Sequence, residues 1–212
     1  LAAADAPRLV LASASPARRE TLISAGLAPQ VVVSDVDEDA FGAADVPGLV
    51  QALARAKAEA VAARLDAEAG DRASDVLVVG CDSLLELDGE PLGKPASAAE
   101  AVDRWLRMRG RTGHLHTGHH VLRLGDRPGS ASGVATTEVR FADLSREEIE
   151  AYVATGEPER VAGAFTIDGL GGAFVTSVSG DPHNVVGISL PLLRDLFGRL
   201  GVAWHTLWVA PS

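Results

Sequence analysis

Two lysines and a group of carboxylates carry the residue types that handle phosphate. Leu49, Leu53, Lys57, Val61 and Leu65 recur every four residues, so Lys57 interrupts an apolar helical stripe. A lysine so placed either snorkels to water at the stripe's edge or meets an anion. Asp82 directly follows the apolar run "DVLVVGC", at a strand end, where open α/β sheets collect ligands. Taken alone, it reads more readily as a turn former. Asp88-Gly89 marks a two-residue hairpin loop that sets Leu87 opposite Glu90 and, counted back, Ser83 opposite Lys94. That register puts Lys94 within about 5–8 Å of Asp82, although Pro91 favours irregular pairing. A carboxylate and an ammonium meeting there suit phosphate-plus-metal chemistry. The loop "SDVDEDA" adds Asp35, Asp37, Glu38 and Asp39 without the spacing or glycine turn of an EF-hand. Such acidic runs are mostly solvated, but magnesium needs only one or two protein carboxylates when phosphate and water complete its shell.

A second feature is "LASASPARRETL", residues 11–22. Ser15 is a good helix N-cap and Pro16 a good first helical residue. Arg18 and Arg19 then place positive charge in a first turn, against the macrodipole by roughly 0.3–1 kcal/mol each. A bound anion there would reverse that cost. Other stretches are weaker. Ser13 and Ser15 lack a GxSxG elbow. "GHLHTGHH" has four histidines but neither cysteine partners nor HExxH spacing. "DGLGG" lacks the order of a dinucleotide fingerprint or a P-loop, so its glycines serve a tight backbone turn. Cys81, the only cysteine, lies in an apolar run and reads as packing.

The elements that must position these residues alternate between strand and helix, which predicts α/β architecture. Strands are expected at Arg8 to Ala12, Gln30 to Ser34, "DVLVVGCDS", the "LLELDGEPL" hairpin, "HLHTGHHVLRL" and "VATTEVRFADL". A short strand should follow "DGLGG", and "AWHTLWVA" should form the last. Helices are expected at Pro16 to Ala25, Gly48 to Ala67, Ala98 to Arg109 and Pro191 to Leu200. Another starts at Ser145, where Glu148 completes a capping-box pattern. "DRPGSASG" is the best turn-rich break.

The 212 residues suffice for one domain with a sizeable core. A formal charge of −10 argues against broad binding to nucleic acid or acidic membrane, while leaving room for a local basic pocket. No stretch reaches the roughly 20 apolar residues of a membrane span, no signal-peptide pattern is present, and one cysteine allows no internal disulfide. A cytoplasmic setting is the expectation.

"LASASPARR", "DVDED", "LARAKA", "GCDS", "GEPLGKP", "TTEVRFADLS", "GEPERVAGAFTIDGLGGAFV" and "NVVGISLPLL", in that order from about Arg8 to Leu200, resemble the Maf family of nucleoside triphosphate pyrophosphatases. The resemblance implies a single Maf-like α/β domain over 1–212. It would have a mixed twisted sheet, flanking helices and two lobes around a central nucleotide-binding cleft, often as a homodimer. It implies hydrolysis of a nucleoside triphosphate to the monophosphate and pyrophosphate with Mg2+ or Mn2+. By position, Asp82 matches the proton acceptor and, with Glu38, the metal side; Ser13, Arg18, Lys57 and Lys94 match phosphate-handling positions. Ala17, Ser83 and Asp168 occupy positions associated with base choice. Each departs from the common pattern (Arg, Thr or Gln, and Gln or Glu respectively). Two roles are open: an enzyme clearing the nucleotide pool, or a nucleotide-binding regulator of cell division with vestigial hydrolysis. A triphosphatase releasing orthophosphate is a third.

Overall fold

The structure, a computed structural model, describes residues 6–69 and 75–209. Its centre is a seven-stranded mixed sheet: β1 (Arg8–Leu11), β2 (Gln30–Val31), β3 (Val76–Leu87), β4 (Glu90–Leu92), β5 (Thr112–Leu124), β6 (Gly129–Phe141) and β7 (Val175–Ser179). The order is β2-β1-β3-β5-β6-β7, with β4 paired to β3. β1 lies parallel to β2 and β3, and the remaining pairs are antiparallel. Flanking helices are α1 (Pro16–Ser24), α2 (Val46–Ala69), α3 (Ala98–Met108), α4 (Arg146–Val153), α5 (Pro182–Val186) and α6 (Leu190–Arg199). The mixed α/β class expected from the alternation is the one observed.

Side chains of β3 alternate between faces. Val76 and Val78 pack with Ala58 and Val61 of α2, while Leu77, Val79 and Cys81 join Ile188, Leu193 and Phe197 around α6. Strand burial on both faces explains the unbroken apolar run. A third cluster, built on Leu85, Leu87, Trp105, Phe141 and Tyr152, takes over along the same strand after residue 82. Gly80 and Gly118 face α2 and have no alternative there: a Cβ on either would run into the backbone carbonyl of Ala54 or Val50.

Local signals mostly act as read. Ser15 caps α1, and Ser145 with Glu148 forms the capping box of α4. Asp88 and Gly89 both have positive φ, as a type I′ hairpin requires, and Leu87 pairs with Glu90. Three expectations fail. β2 stops at Val31, because the chain turns away to Arg64 on α2 at Val33 and Asp35. "DRPGSASG" is no broad break: β6 already starts at Gly129, paired with Arg123. Residues 203–209 form no strand; Trp204–Leu207 makes a 3-10 turn with Trp204 stacked on Phe197 at 5.7 Å. Apolar packing there overrides aromatic β-propensity. Ala210, the end of that expected strand, lies outside the described residues.

Two outcomes test this packing. Gly118→Ala should cost at least about 2 kcal/mol in denaturant unfolding, because the obstructing atom is helix backbone and cannot rotate away. A stability equal to wild type would contradict the close approach. His119, fully buried, accepts the Ser189 N–H at Nε2 (2.9 Å) and donates from Nδ1 to the Thr117 carbonyl (3.0 Å). Burial depresses its pKa from 6.5 to about 4. The fold therefore favours neutral imidazole, and that stabilisation, about 3 kcal/mol, holds above pH 6.5 and is lost as pH falls towards 4. Unfolding midpoints measured from pH 8 to 4 should fall less steeply for His119→Gln than for wild type; parallel slopes would assign the acid sensitivity elsewhere.

Candidate active site

Lys57 and Asp82 are neighbours because α2 lies so close to β3. The buried face of α2 runs through Val50, Leu53, Ala54, Ala58 and Val61, and Lys57 sits within it, 8% exposed. It does not snorkel. Its Nζ lies 2.6 Å from Asp82 Oδ1 and 2.7 Å from Glu38 Oε1, a single ammonium held between two carboxylates. Burial pushes the Asp82 carboxyl above its usual range, against the opposing pull of Lys57 and Arg18. A raised carboxyl pKa moves it towards that of a working general base.

The acidic loop divides its labour. Glu38, on a 3-10 turn at Glu38–Ala40, reaches Lys57, while Asp37 caps that turn through the Asp39 amide. Asp35, with φ of 56°, pairs with Arg64. Asp39 is exposed. A cavity of about 160 Å³ opens between this loop, the turn after β1 at Ala12–Ala14, and Lys57. It lies just beyond the carboxyl end of β1, the side of a parallel pair where ligands gather.

Arg18 does not line that cavity but reaches its Ser13 wall. Its Nε donates to the Gly187 carbonyl (2.7 Å), Nη1 to Ser13 Oγ and the Cys81 carbonyl (both 3.1 Å), and Nη2 to Ser83 Oγ (2.9 Å). Four of about five guanidinium donors are thereby occupied by the protein, leaving one for an anion. Carbonyl oxygens from β3 and from the end of α5 thus offset the charge that the helix dipole opposes. Ser83 Oγ also meets Thr117 Oγ1 at 2.9 Å. Cys81, one residue before Asp82, has its thiol pushed up to about 12 by burial and serves as packing.

Lys94 is placed differently from the hairpin count. The ladder ends at Leu85 with Leu92, and Ser83 pairs with Thr117 on β5. The Gly93 carbonyl accepts instead from Gly163 N at 3.1 Å and from Arg104, which takes the chain off the sheet before Lys94. Lys94 is exposed, and among the described residues no ion pair joins it to Asp82. Ala17 is half-buried on α1, and Asp168 is exposed on the glycine-rich loop. His116 bonds Thr136 and Glu86, His114 stacks on His116, and His119 and His120 are buried.

Two neighbours of the site had no role assigned from sequence, although Asn184 opens the stretch "NVVGISLPLL". Thr117 lay among the histidines without a chemical signal of its own. Asn184 is fully buried; its amide bonds the Leu115 and Ala135 carbonyls and Thr137 Oγ1, fastening α5 beneath Ser83 through the Thr117 hydroxyl.

A strand-to-helix turn facing a buried carboxylate–ammonium pair, beyond the end of a parallel strand pair, defines an α/β protein built to hold an anionic ligand. The family model described as Maf-like protein matches residues 8–200, and the chain belongs to that family. It is 55% identical over 203 residues to a nucleoside triphosphate pyrophosphatase of Salinispora tropica, covering 95% of this chain and 87% of that one. A protein of the same description from Nocardia farcinica is 54% identical over 211 residues, covering 96% and 98%. One from Mycobacterium marinum is 50% identical over 210 residues, covering 96% and 97%. The solved Staphylococcus aureus Ham1 protein aligns over 95% of this chain and 93% of that one, at a TM-score of 0.44 and 15% identity.

Removing one member of a buried ion pair strands the other, typically at 3–5 kcal/mol. Lys57→Met should therefore fold with reduced stability, and Lys57→Met combined with Asp82→Asn should recover part of the loss in denaturant unfolding. If the double variant is no more stable than the single one, Asp82 is not held by Lys57.

Proposed function

We propose that this chain hydrolyses a nucleoside triphosphate to the monophosphate and pyrophosphate, clearing non-standard or surplus nucleotides. The supporting observation is the Lys57 ammonium clasped by Asp82 and Glu38 at the wall of the cavity. Kinship with proteins named nucleoside triphosphate pyrophosphatase supports the substrate class. In this reading the triphosphate lies over the turn after β1, where the free Arg18 donor and the start of α1 favour negative charge. Lys57, which lines the cavity with Ser13, and Lys94 supply further positive charge for the phosphate oxygens.

The chemistry needs an oriented water, neutralised phosphate oxygens and a stabilised leaving group, which positioning and electrostatics supply. Water oxygen adds to the α-phosphorus, the bond to the bridging oxygen breaks, and pyrophosphate leaves with that electron pair. Asp82 accepts the water proton. The Asp82 and Glu38 oxygens converge on the Lys57 ammonium, and two such neighbouring carboxylates are the donor set that a divalent metal takes beside phosphate and water. Asp82 and Glu38 would hold Mg2+ or Mn2+, which neutralises phosphate charge and polarises water when bound. A regulator that only binds nucleotide has no need of a buried base, which favours the enzyme over the cell-division reading. Ala17, Ser83 and Asp168 are assigned to base choice, and a homodimer is the proposed assembly. No helix among the described residues is long and apolar enough to cross a membrane.

A nucleotide panel with Mg2+ or Mn2+, with products separated by chromatography, should show pyrophosphate as the primary product and no turnover with excess chelator. Orthophosphate as the sole primary product would overturn the reading. Asp82→Asn, nearly isosteric, should bind nucleotide with near-normal affinity yet turn over at least ~100-fold more slowly in single-turnover kinetics. Near-wild-type hydrolysis by the folded variant would remove Asp82 from the mechanism.

A further inference from the structure

The glycine-rich segment after Phe165 is wrapped around one carboxylate. Glu157 Oε1 accepts from the hydroxyls of Tyr152 (2.8 Å) and Thr166 (2.6 Å) and from Gly171 N (3.0 Å), and Oε2 accepts from Leu170 N (3.1 Å). The glycines are there for closeness. A Cβ on Gly169 would stand 2.6 Å from Glu157 Oε2, and one on Gly171 would strike the Tyr152 hydroxyl. Paired backbone amides of this kind make an anion-binding hollow. Here the protein fills the hollow with its own carboxylate, so the loop is not a phosphate cradle. Burial works against the charge of Glu157, but the hydrogen bonds from Thr166, Tyr152, Gly171 and Leu170 hold its carboxyl down at about 2. It is ionised throughout the physiological range.

Asp168 lies midway between the two anchored points, Thr166 and Leu170. The same segment packs against β3 just beyond Ser83: a Cβ on Gly163 would stand 2.8 Å from Leu85 Cβ, Gly163 N donates to the Gly93 carbonyl, and Trp105 Nε1 donates to the Ala164 carbonyl at 2.8 Å. We propose that Glu157 is the positioning residue for nucleobase selection, tying down the Thr166 hydroxyl before Asp168 and the Leu170 and Gly171 amides after it, so that the Asp168 carboxylate meets the base in one orientation. This rests on the nucleotide reading and on the assignment of Asp168 to base choice. Glu157 itself touches no substrate.

Glu157→Gln is the informative variant. An amide has one acceptor oxygen; kept at the Oε1 position it preserves three bonds, and its NH2 then opposes the Leu170 N–H. The loop is thus released beside Asp168 alone. The full chain would be titrated calorimetrically with α,β-imido analogues of pyrimidine and purine nucleoside triphosphates, and its melting temperature recorded. Glu157→Gln should melt within a few degrees of wild type while the ratio of best to worst Kd falls at least about tenfold, through weakening of the best ligand. Asp168→Asn should lower the ratio similarly, and the double variant should add little, as expected of residues acting through one another. Should Glu157→Gln fail to fold, Gly169→Ala, which presses on Glu157 Oε2, should lower the same ratio.

An unchanged ratio in Glu157→Gln, an additive double variant, or a wild-type chain that does not discriminate among the analogues would each overturn the inference. Pyrophosphate release by wild type is assayed separately. A chain that selects analogues but releases no pyrophosphate loses the reaction and keeps this assignment. One that releases pyrophosphate with selection untouched by Glu157→Gln loses this assignment alone.

Discussion

The backbone of α2 rests directly on β3 and β5 at two positions that have no side chain, and the geometry of the site follows from that contact. With any Cβ at Gly80 or Gly118 the helix would stand off the sheet. Three residues after Ala54, Lys57 emerges on the sheet side of the helix, and two residues after Gly80, Asp82 emerges on the helix side of the sheet. Their ion pair of 2.6 Å is a product of this spacing. Taking two charges out of water costs more than a surface pair recovers, so such a pair is poor ballast for a fold. The neighbouring Val50, Ala54, Ala58 and Val61 supply the apolar burial that holds the charges in place.

Arg18 sets the other side of the cleft in advance. Its guanidinium joins the start of α1, the middle of β3 and the end of α5, elements separated by up to 169 residues. A planar fork already oriented loses little freedom when an anion arrives, which is the advantage arginine holds over lysine at such places. The exposed Lys94 carries the opposite character, a mobile point charge on a flexible stem.

Short-range chemistry was legible in the sequence. The Asp88-Gly89 turn, the Ser15 and Ser145 caps and the doubly buried β3 depend on residues within a few positions of one another. The site was legible only in part. Asp82 and Lys57 were singled out separately, but their pairing spans 25 residues and turns on how closely a helix approaches two glycines, which periodicity does not encode. Lys94 was drawn too near Asp82 because a hairpin count assumes that the ladder continues, whereas Gly93 finds partners on another segment. Glu157 stood inside the stretch "GEPERVAGAFTIDGLGGAFV" with no role of its own; its four donors come from a stretch of chain 9 to 14 residues on and from Tyr152 behind it.

One long strand serves two cores. β3 contributes Leu77, Val79 and Cys81 to the cluster around α6, then Leu85 and Leu87 to the cluster around Trp105, with Asp82 at the changeover. Neither half owns a complete sheet, so neither can melt while its neighbour stays intact. Heating should yield a single calorimetric transition, with van't Hoff and measured enthalpies in agreement. Such a chain resists being split into transferable modules: recombination within residues 76–87 would orphan both halves at once.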